Sequence, residues 1–337
     1  MTKNTTRIVR RKRKRKRRVR RFIFTIIALI SIALFSVLAY GAYLYVKADN
    51  TLTESYEDDG REKSELREEV VDPGEDSVSI LLMGVDTSEK RSNDGNPRTD
   101  ALMVATLNKE DKSVKLLSIP RDSYVYIPEV DRQTRINHAH AYGGPKATVE
   151  TVENLLDIPI DYWVRVNFDA FVEVVDAIGG VTVEVPYTFS EQDSKDRANA
   201  IRLEKGIQDL DGEEALALAR TRKLDSDIER GKRQQEIIKA VAKKSVSLGS
   251  VFKYDDIIDA VGNNMATNME PREIRGFVSY VTGGLNIESL TAEGSPWRYN
   301  GMDLWRLDEQ KLEETKSMLK DHLDLNETTT EIPRQRG

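Results

Sequence analysis

The 337-residue chain predicts an α/β domain, a mixed central sheet with helices on both faces, preceded by one N-terminal transmembrane helix. Three observations carry this. Strand-like and helix-like segments alternate between Val78 and Val246, the pattern of layered α/β domains. Residues 22–46 are a run of 25 without a charge. Thirteen Lys and Arg and no acid fall in residues 1–21, leaving 38 basic against 57 acidic residues in the remainder. Such an asymmetry between ends points to two compartments.

Residues 1–21 directly precede the apolar run, so they read as a cytoplasmic tail that sets topology and attracts anionic lipid, not as a nucleic-acid arm. At about 1.5 Å per residue, segment 22–46 exceeds a hydrocarbon core of about 30 Å. Tyr40, Tyr43 and Tyr45 cluster at its far end, where amphipathic rings favour the interface. A cleaved leader ending near Ala48 is the alternative, but the run is longer than an ordinary leader core. The chain after Lys47 is then extracellular. Residues 47–76 are polar and mixed in charge and read as a stalk. A folded domain over 77–325 and a disordered tail over 326–337 complete the chain. The absence of cysteine decides nothing by itself.

The domain opens with SVSILLMGV, a buried strand ending at Asp86. A Gly/Asn/Pro-rich loop leads to a second strand from Asp100, and VKLLSI is a third, ending at Pro120-Arg121-Asp122. An antiparallel meander of these three brings Asp86, Asp100 and Arg121 to one sheet edge. Pro145 to Leu156 reads as a helix, IDYWVRVNF as a strand, Asp169 to Ile178 as a helix closed by Gly179-Gly180, and VTVEV as an alternating strand. Residues 250–322 predict helices at 253–261, 270–282 and 308–322 and a strand near Ser289 to Thr291, an extension of the same domain.

The densest chemistry lies between Asp211 and Ile238. Asp211 and Glu214 form a capping pattern for a helix from Gly212 to Arg220. Asp225 or Asp227 caps a second helix, on which Arg230, Arg233 and Gln234 share a face. Arg220 and Arg222 are two apart, which aims them together only if the first helix ends at Arg220. Four guanidiniums so close need an anion, and their planar forks suit phosphate oxygens; surface pairing with Asp225, Asp227 and Glu229 is the simpler alternative. Asp86 and Asp100 together suit Mg2+, which takes one or two carboxylates plus water and phosphate oxygens. Arg98 and Arg121 add positive charge. His138 and His140 either line this site or pack structurally. There is no phosphate-binding P-loop signature, zinc cluster or Ser-His-Asp arrangement.

The fragments GVD at 84–86, RTD at 98–100, SIPRD at 118–122, INHAHAYGG at 136–144, IGGVTVEVP at 178–186, LDGEEALALARTR at 210–222 and DIERGKRQQ at 227–235 together resemble the LytR–CpsA–Psr family over residues 78–246. The version of the motifs is similar to that of the wall teichoic acid ligases. The resemblance implies an enzyme of the Gram-positive envelope that transfers an anionic glycopolymer from a polyprenyl diphosphate carrier to the C6 hydroxyl of peptidoglycan N-acetylmuramic acid. It implies Mg2+, with Mn2+ as an alternative, on Asp86 and Asp100. Arg98, Arg121, Arg220, Arg222, Arg230, Arg233 and Gln234 would bind the diphosphate, and Asp122, Asp86 or Asp100 would accept the proton. The polyprenyl chain would take an apolar groove near Trp163, Val166, Phe168 and Phe171, at least two of which are expected in the core instead. Ser88 and Thr99 depart from the family pattern, with Arg91 or Arg98 placed to compensate for the first. A diphosphatase using water as acceptor and a non-catalytic envelope protein are the competing readings.

Overall fold

The computed structural model describes residues 35–36, 38–86, 97–223, 226–247, 258–260, 262, 265–277, 280 and 286–325. The basic tail, most of the expected membrane span, Ser88, Arg91, Asp225 and the segment 326–337 lie outside them. The chain divides into two units, Met1–Asn50 and Thr51–Gly337. In the first, residues 38–50 are helical. Among the described residues no helix is long and apolar enough to cross a membrane.

The second unit is built on a six-stranded sheet. Its strands are β1 (Val78–Val85), β2 (Thr99–Asn108), β3 (Ser113–Ser118), β6 (Tyr162–Asn167), β11 (Met265–Thr267) and β12 (Asn286–Thr291), in the order β11-β6-β1-β2-β3-β12. The expected meander is present: β1 pairs antiparallel with β2 and β2 with β3. β6 lies parallel to β1, and β12 parallel to β3. The sheet is therefore mixed, and both of its edges come from the C-terminal region.

Four smaller strands form two hairpins beside it, β4 (Tyr124–Ile127) with β5 (Arg132–Arg135) and β8 (Phe189–Glu191) with β9 (Ile201–Leu203). The alternating strand β7 (Val181–Val185) does not join the central sheet; it pairs with β10 (Gly206–Leu210). The last pair, β13 (Gly294–Tyr299) and β14 (Met302–Leu307), was not expected. It turns on Asn300-Gly301, both at positive φ, as a tight hairpin of this kind requires.

Helices cover both sheet faces. On one, α1 (His138–Leu156) and α6 (Glu309–His322) pack Val149, Val152, Leu156 and Leu319 against Leu81, Met83, Leu102, Leu117 and Trp163. The helix expected from Pro145 begins earlier, at His138, but is broken at Gly143 and Gly144 (φ 66°), so Pro145 opens its second segment. The opposite face, with Met103, Leu116 and Tyr162, meets Ile238 and Phe277, from α4 (Asp227–Ser247) and the residue after α5 (Pro271–Gly276).

A third cluster joins α2 (Phe168–Ala177) and α3 (Gly212–Arg220) to β7, β10 and Ile237 of α4. Helix α3 has the expected bounds and both arms of its capping box. Asp227 is the first helical residue of α4 and does not cap it; Ser226 Oγ accepts from the Glu229 amide at 3.4 Å, and the other candidate, Asp225, lies outside the described residues. In the C-terminal region α6 matches expectation; of the helix expected over 270–282, α5 ends at Gly276 and Tyr280 is again helical, and residues 278, 279, 281 and 282 and most of segment 253–261 fall outside the described residues.

Residues 51–76 are not a stalk. Arg67 chelates Asp161 at 2.9 and 2.8 Å; the Trp163 indole donates to Asp59 at 2.9 Å, and Ser64 to Glu153 at 2.6 Å. Polarity here marks pairing with the domain's own charges, not solvation.

The position of α4 against the sheet is set by two residues. A Cβ on Gly231 would lie 2.6 Å from Ser118 Oγ, so any larger residue would have to turn that hydroxyl aside. Gln235, 1 % exposed, donates to the carbonyls of Leu116 in β3 and Leu290 in β12, both at 2.7 Å. Gln235→Ala removes both bonds and leaves a cavity, and should lower unfolding free energy by about 2–4 kcal/mol. Urea denaturation checks this; an unchanged midpoint would mean that α4 is held in another way.

Candidate functional site

Between the α4-covered face of the sheet and helices α2, α3 and α4 lies a cavity of about 630 Å³. It is amphipathic along its length. Leu82, Met103, Val164, Val166, Phe171, Leu216, Ile237 and Ile238 line its apolar part, and Asp86, Asp100, Arg121, Arg220, Arg222, Lys223 and Arg230 its polar end. Gly84 and Ala101 also line it. They are register partners, and a Cβ on Gly84 would stand 3.0 Å from that of Ala101. Small side chains keep the floor open.

The polar end begins with a β-bulge. Gly84 pairs with Ala101, but Val85 pairs with Thr99, so Asp100 is the extra residue on β2. Strict alternation would put Asp100 on the face opposite Ala101 and Met103. The bulge re-aims it, and all three line the cavity. Asp86, 4 % exposed, follows the end of β1 beside it.

Arg121, leaving β3, forms an ion pair with Asp100. Its Nε also lies 3.9 Å from Asp122 and 3.8 Å from Asp227. Asp227 in turn stands 3.4 Å from both Arg222 and Arg230. This carboxylate holds three guanidiniums in register, a role that sequence reasoning, treating it as a helix cap or surface partner, missed. Arg220 lies over the Phe168 ring at 4.6 Å and 3.7 Å from Asp196. The side-chain Nε atoms of Arg121 and Arg230 are buried without a hydrogen-bond partner. Burial lowers the Arg230 pKa to about 10; Asp227 opposes that shift, and Arg121 and Arg222 add to it. An anion among these groups would supply acceptors and relieve the repulsion.

Most expected site residues converge here: Asp86, Asp100, Arg121, Arg220, Arg222, Arg230 and Gln234 line the cavity. Three do not. Arg233 is buried behind it, donating from Nε to the Leu218 carbonyl at 3.2 Å and from Nη2 to that of Thr221. It closes the C-terminal turn of α3, because the side chain reaches a helix end before it reaches the cavity. Arg98 is exposed at the entry to β2 and outside the lining. Asp122 sits beyond the rim, 3.3 Å from Arg135. Its carboxyl is held above the ordinary range by burial, opposed by Arg121 and Arg135 and reinforced by a hydrogen bond with Asp227. Lys223, Gln192 and Glu191, which were not anticipated, complete the lining.

Val166, Phe168 and Phe171 line the cavity, whereas Trp163 is fully buried in the core, so only one of the four is a core residue alone. The histidines pack structurally. His140 is fully buried and its Nδ1 lies 2.6 Å from the Pro97 carbonyl, pinning the chain three residues before Asp100. His138 Nδ1 contacts Thr134 at 3.1 Å.

The donor set at Asp86 and Asp100 is all carboxylate, which suits a hard divalent cation. Among the described residues no group of three or more His, Cys, Asp or Glu forms a closed metal site. A cation here would complete its shell with water and ligand oxygens.

The profile of the LytR_cpsA_psr family matches residues 42–321. The chain is 43% identical over 286 residues to the polyisoprenyl-teichoic acid–peptidoglycan teichoic acid transferase TagT of Bacillus subtilis (strain 168), covering 84% of this chain and 88% of that protein. A solved structure of TagT bound to LIIa-WTA superposes with a TM-score of 0.68 at 41% identity, over 79% of this chain and 98% of the other. A second, of YwtF (TagT) with bound octaprenyl pyrophosphate lipid, gives 0.63 at 38% identity with the same coverage.

Two outcomes follow for the arginines. Arg230→Gln should weaken pyrophosphate binding by roughly tenfold or more while leaving thermal stability nearly unchanged, since it removes a desolvated charge among like charges. Arg233→Gln should do the reverse, lowering the melting temperature with little effect on pyrophosphate affinity. Calorimetric titration and thermal melts separate them, and equal behaviour of the two would contradict the geometry.

His140 gives a pH dependence. Burial lowers its pKa from 6.5 to about 4, opposed by the Pro97 hydrogen bond. The unfolded chain therefore binds the extra proton between these values, and stability present above pH 6.5 is lost as pH falls toward 4. The His140 imidazole resonance should titrate near pH 4; titration near 6.5 would refute the assignment.

Proposed function

This chain belongs to the LytR–CpsA–Psr family, and from that premise we propose that it transfers an anionic glycopolymer, wall teichoic acid, from a polyprenyl diphosphate to peptidoglycan, forming a phosphodiester. The carrying observation is the amphipathic cavity, which joins an apolar groove to a cluster of arginines with unpartnered donors. A lipid diphosphate has the same division along its length.

In this reading the prenyl chain lies along Met103, Val166, Ile237 and Ile238, and its diphosphate meets Arg121, Arg220, Arg222 and Arg230. Gln234, whose Nε2 is 3.1 Å from the Ala219 carbonyl, shapes the wall between these regions. Mg2+ would be held by Asp86 and Asp100, and would supply charge neutralisation to the diphosphate oxygens. The hydroxyl oxygen of the muramic acid attacks the phosphorus that carries the glycopolymer. The bond from that phosphorus to the bridging oxygen breaks, and polyprenyl phosphate leaves with its negative charge stabilised by the arginines.

The hydroxyl proton passes to a carboxylate. Asp100 is held by Arg121 and Asp86 serves the cation, so we assign this role to Asp122, which follows Arg121 in the chain and lies 3.9 Å from its Nε. The basic tail and apolar run support an N-terminus in the cytoplasm, one membrane span over 22–46 and an extracellular catalytic domain.

The test uses the full-length chain in detergent with Mg2+, a short-chain lipid-diphosphate glycopolymer and uncrosslinked peptidoglycan oligomer. Mass spectrometry should find the phosphodiester conjugate. Arg121→Ala should reduce it by about 100-fold or more, and EDTA should suppress it until Mg2+ is restored. Free polymer and lipid phosphate without conjugate would indicate hydrolysis instead. Lipid binding without turnover would indicate a non-catalytic protein.

A further inference from the structure

Bordered by β4, β5, β13, β14, α1 and α6 is a second cleft of about 580 Å³. We propose that it binds the acceptor, seating sugar rings of a β-linked amino-sugar strand beside the transfer site. The inference rests on the transferase reading for the identity of that strand.

Its wall is aromatic. Tyr124 and Trp297 line it and meet edge-on at 5.3 Å, and Tyr299, outside the lining, backs Trp297 in a stack at 4.9 Å between centroids and 17° between planes. Tyr126, 38 % exposed, also borders the cleft. A monomer rarely leaves such a group of rings at its surface without a partner. The negative faces of aromatic rings attract C–H edges, which a pyranose presents on its apolar face. Around the rings stand the planar amides Gln133 and Asn154 and the charged Arg306 and Glu309. Amides and charges beside rings are the groups that fix polar substituents in a mostly apolar cleft.

Charge distinguishes the occupant. At this cleft Arg306 and Lys316 are accompanied by Glu309, whereas the first cavity has an excess of guanidinium. The second is suited to a weakly charged glycan and the first to a diphosphate.

Strand β14 ties the cleft to the chain that leaves Arg121. The Trp305 amide donates to the Asp122 carbonyl at 2.9 Å, and the next two residues, Arg306 and Leu307, line the cleft. Arg135 ties the same junction, with Nε 3.3 Å from Asp122 and Nη2 donating to the Asp303 carbonyl at 2.8 Å. The backbone that carries the assigned base and the strand that lines the cleft are therefore held together.

The experiment titrates full-length protein in detergent with a peptide-free amino-sugar oligomer prepared from peptidoglycan, read by saturation-transfer NMR. Trp297→Ala should weaken binding by about tenfold, the scale of one lost ring stack with its buried area. Asn154→Ala, at an exposed position of α1, should weaken it about threefold without risk to the hairpin. Lipid-diphosphate affinity should be unchanged in both, and in the transfer assay KM for the oligomer should rise while KM for the lipid donor does not. Unaltered oligomer binding in both variants would overturn the proposal, as would competition for the cleft by a polyol-phosphate polymer. Oligomer binding that the variants abolish in a protein making no conjugate would leave the cleft standing and the transferase reading refuted.

Discussion

Guanidinium groups repel one another, and the site stands on the carboxylate that gathers them. Asp227 lies within 4 Å of Arg121, Arg222 and Arg230, groups that reach it from the end of β3, the turn after α3 and the first turn of α4. An acid in a first helical turn is favourable on its own account, and here it also fixes where three elements meet. Without it the cluster would disperse toward solvent. With it, positive charge remains in excess, which is what keeps a site receptive to an anion before the anion arrives. Burial chiefly, and Arg121 and Arg222 after it, lower the Arg230 pKa.

The same economy appears in the sheet. One face is closed by α1 and α6 with large aliphatic side chains. On the other, Gly84, Ala101 and Gly231 alternate close approach with open space. Helix α4 comes near enough at Gly231 to bring Arg230 and Gln234 to the cavity, while the small residues of β1 and β2 leave the floor unfilled. Packing density and ligand volume are thus set by neighbouring positions on the same elements.

Much of this was legible where the determinant is local. The capping pair Asp211 and Glu214, the connection lengths of the meander, and the spacing of Arg220 and Arg222 each act within a few residues, and each has its expected consequence. Arg233 was not legible, because a shared helix face does not say which side chain meets a helix end first. Asp227 looked like a cap because its three partners are distant or adjacent in sequence for unrelated reasons. The edge strand β11 has three residues and owes its form to the sheet it joins, whereas the expected strand near Ser289 to Thr291 is the second half of β12. The hairpin at Asn300-Gly301 carried a usable signal that went unread. Segment 51–76 misled because a charged segment looks the same in sequence whether its partners are water or Asp161 and Glu153.

The bulge at Asp100 makes the site depend on counting. No side chain at Asp100 can by itself restore strict alternation, since the extra residue is a matter of chain length. Removal of one residue from this turn of β2 would return the strand to regular pairing, a gain in local order, while sending the carboxylate to the opposite face and stranding Arg121. Composition along β2 can therefore change with less consequence than length, and an insertion or deletion there would dismantle this arrangement even where every motif letter survives.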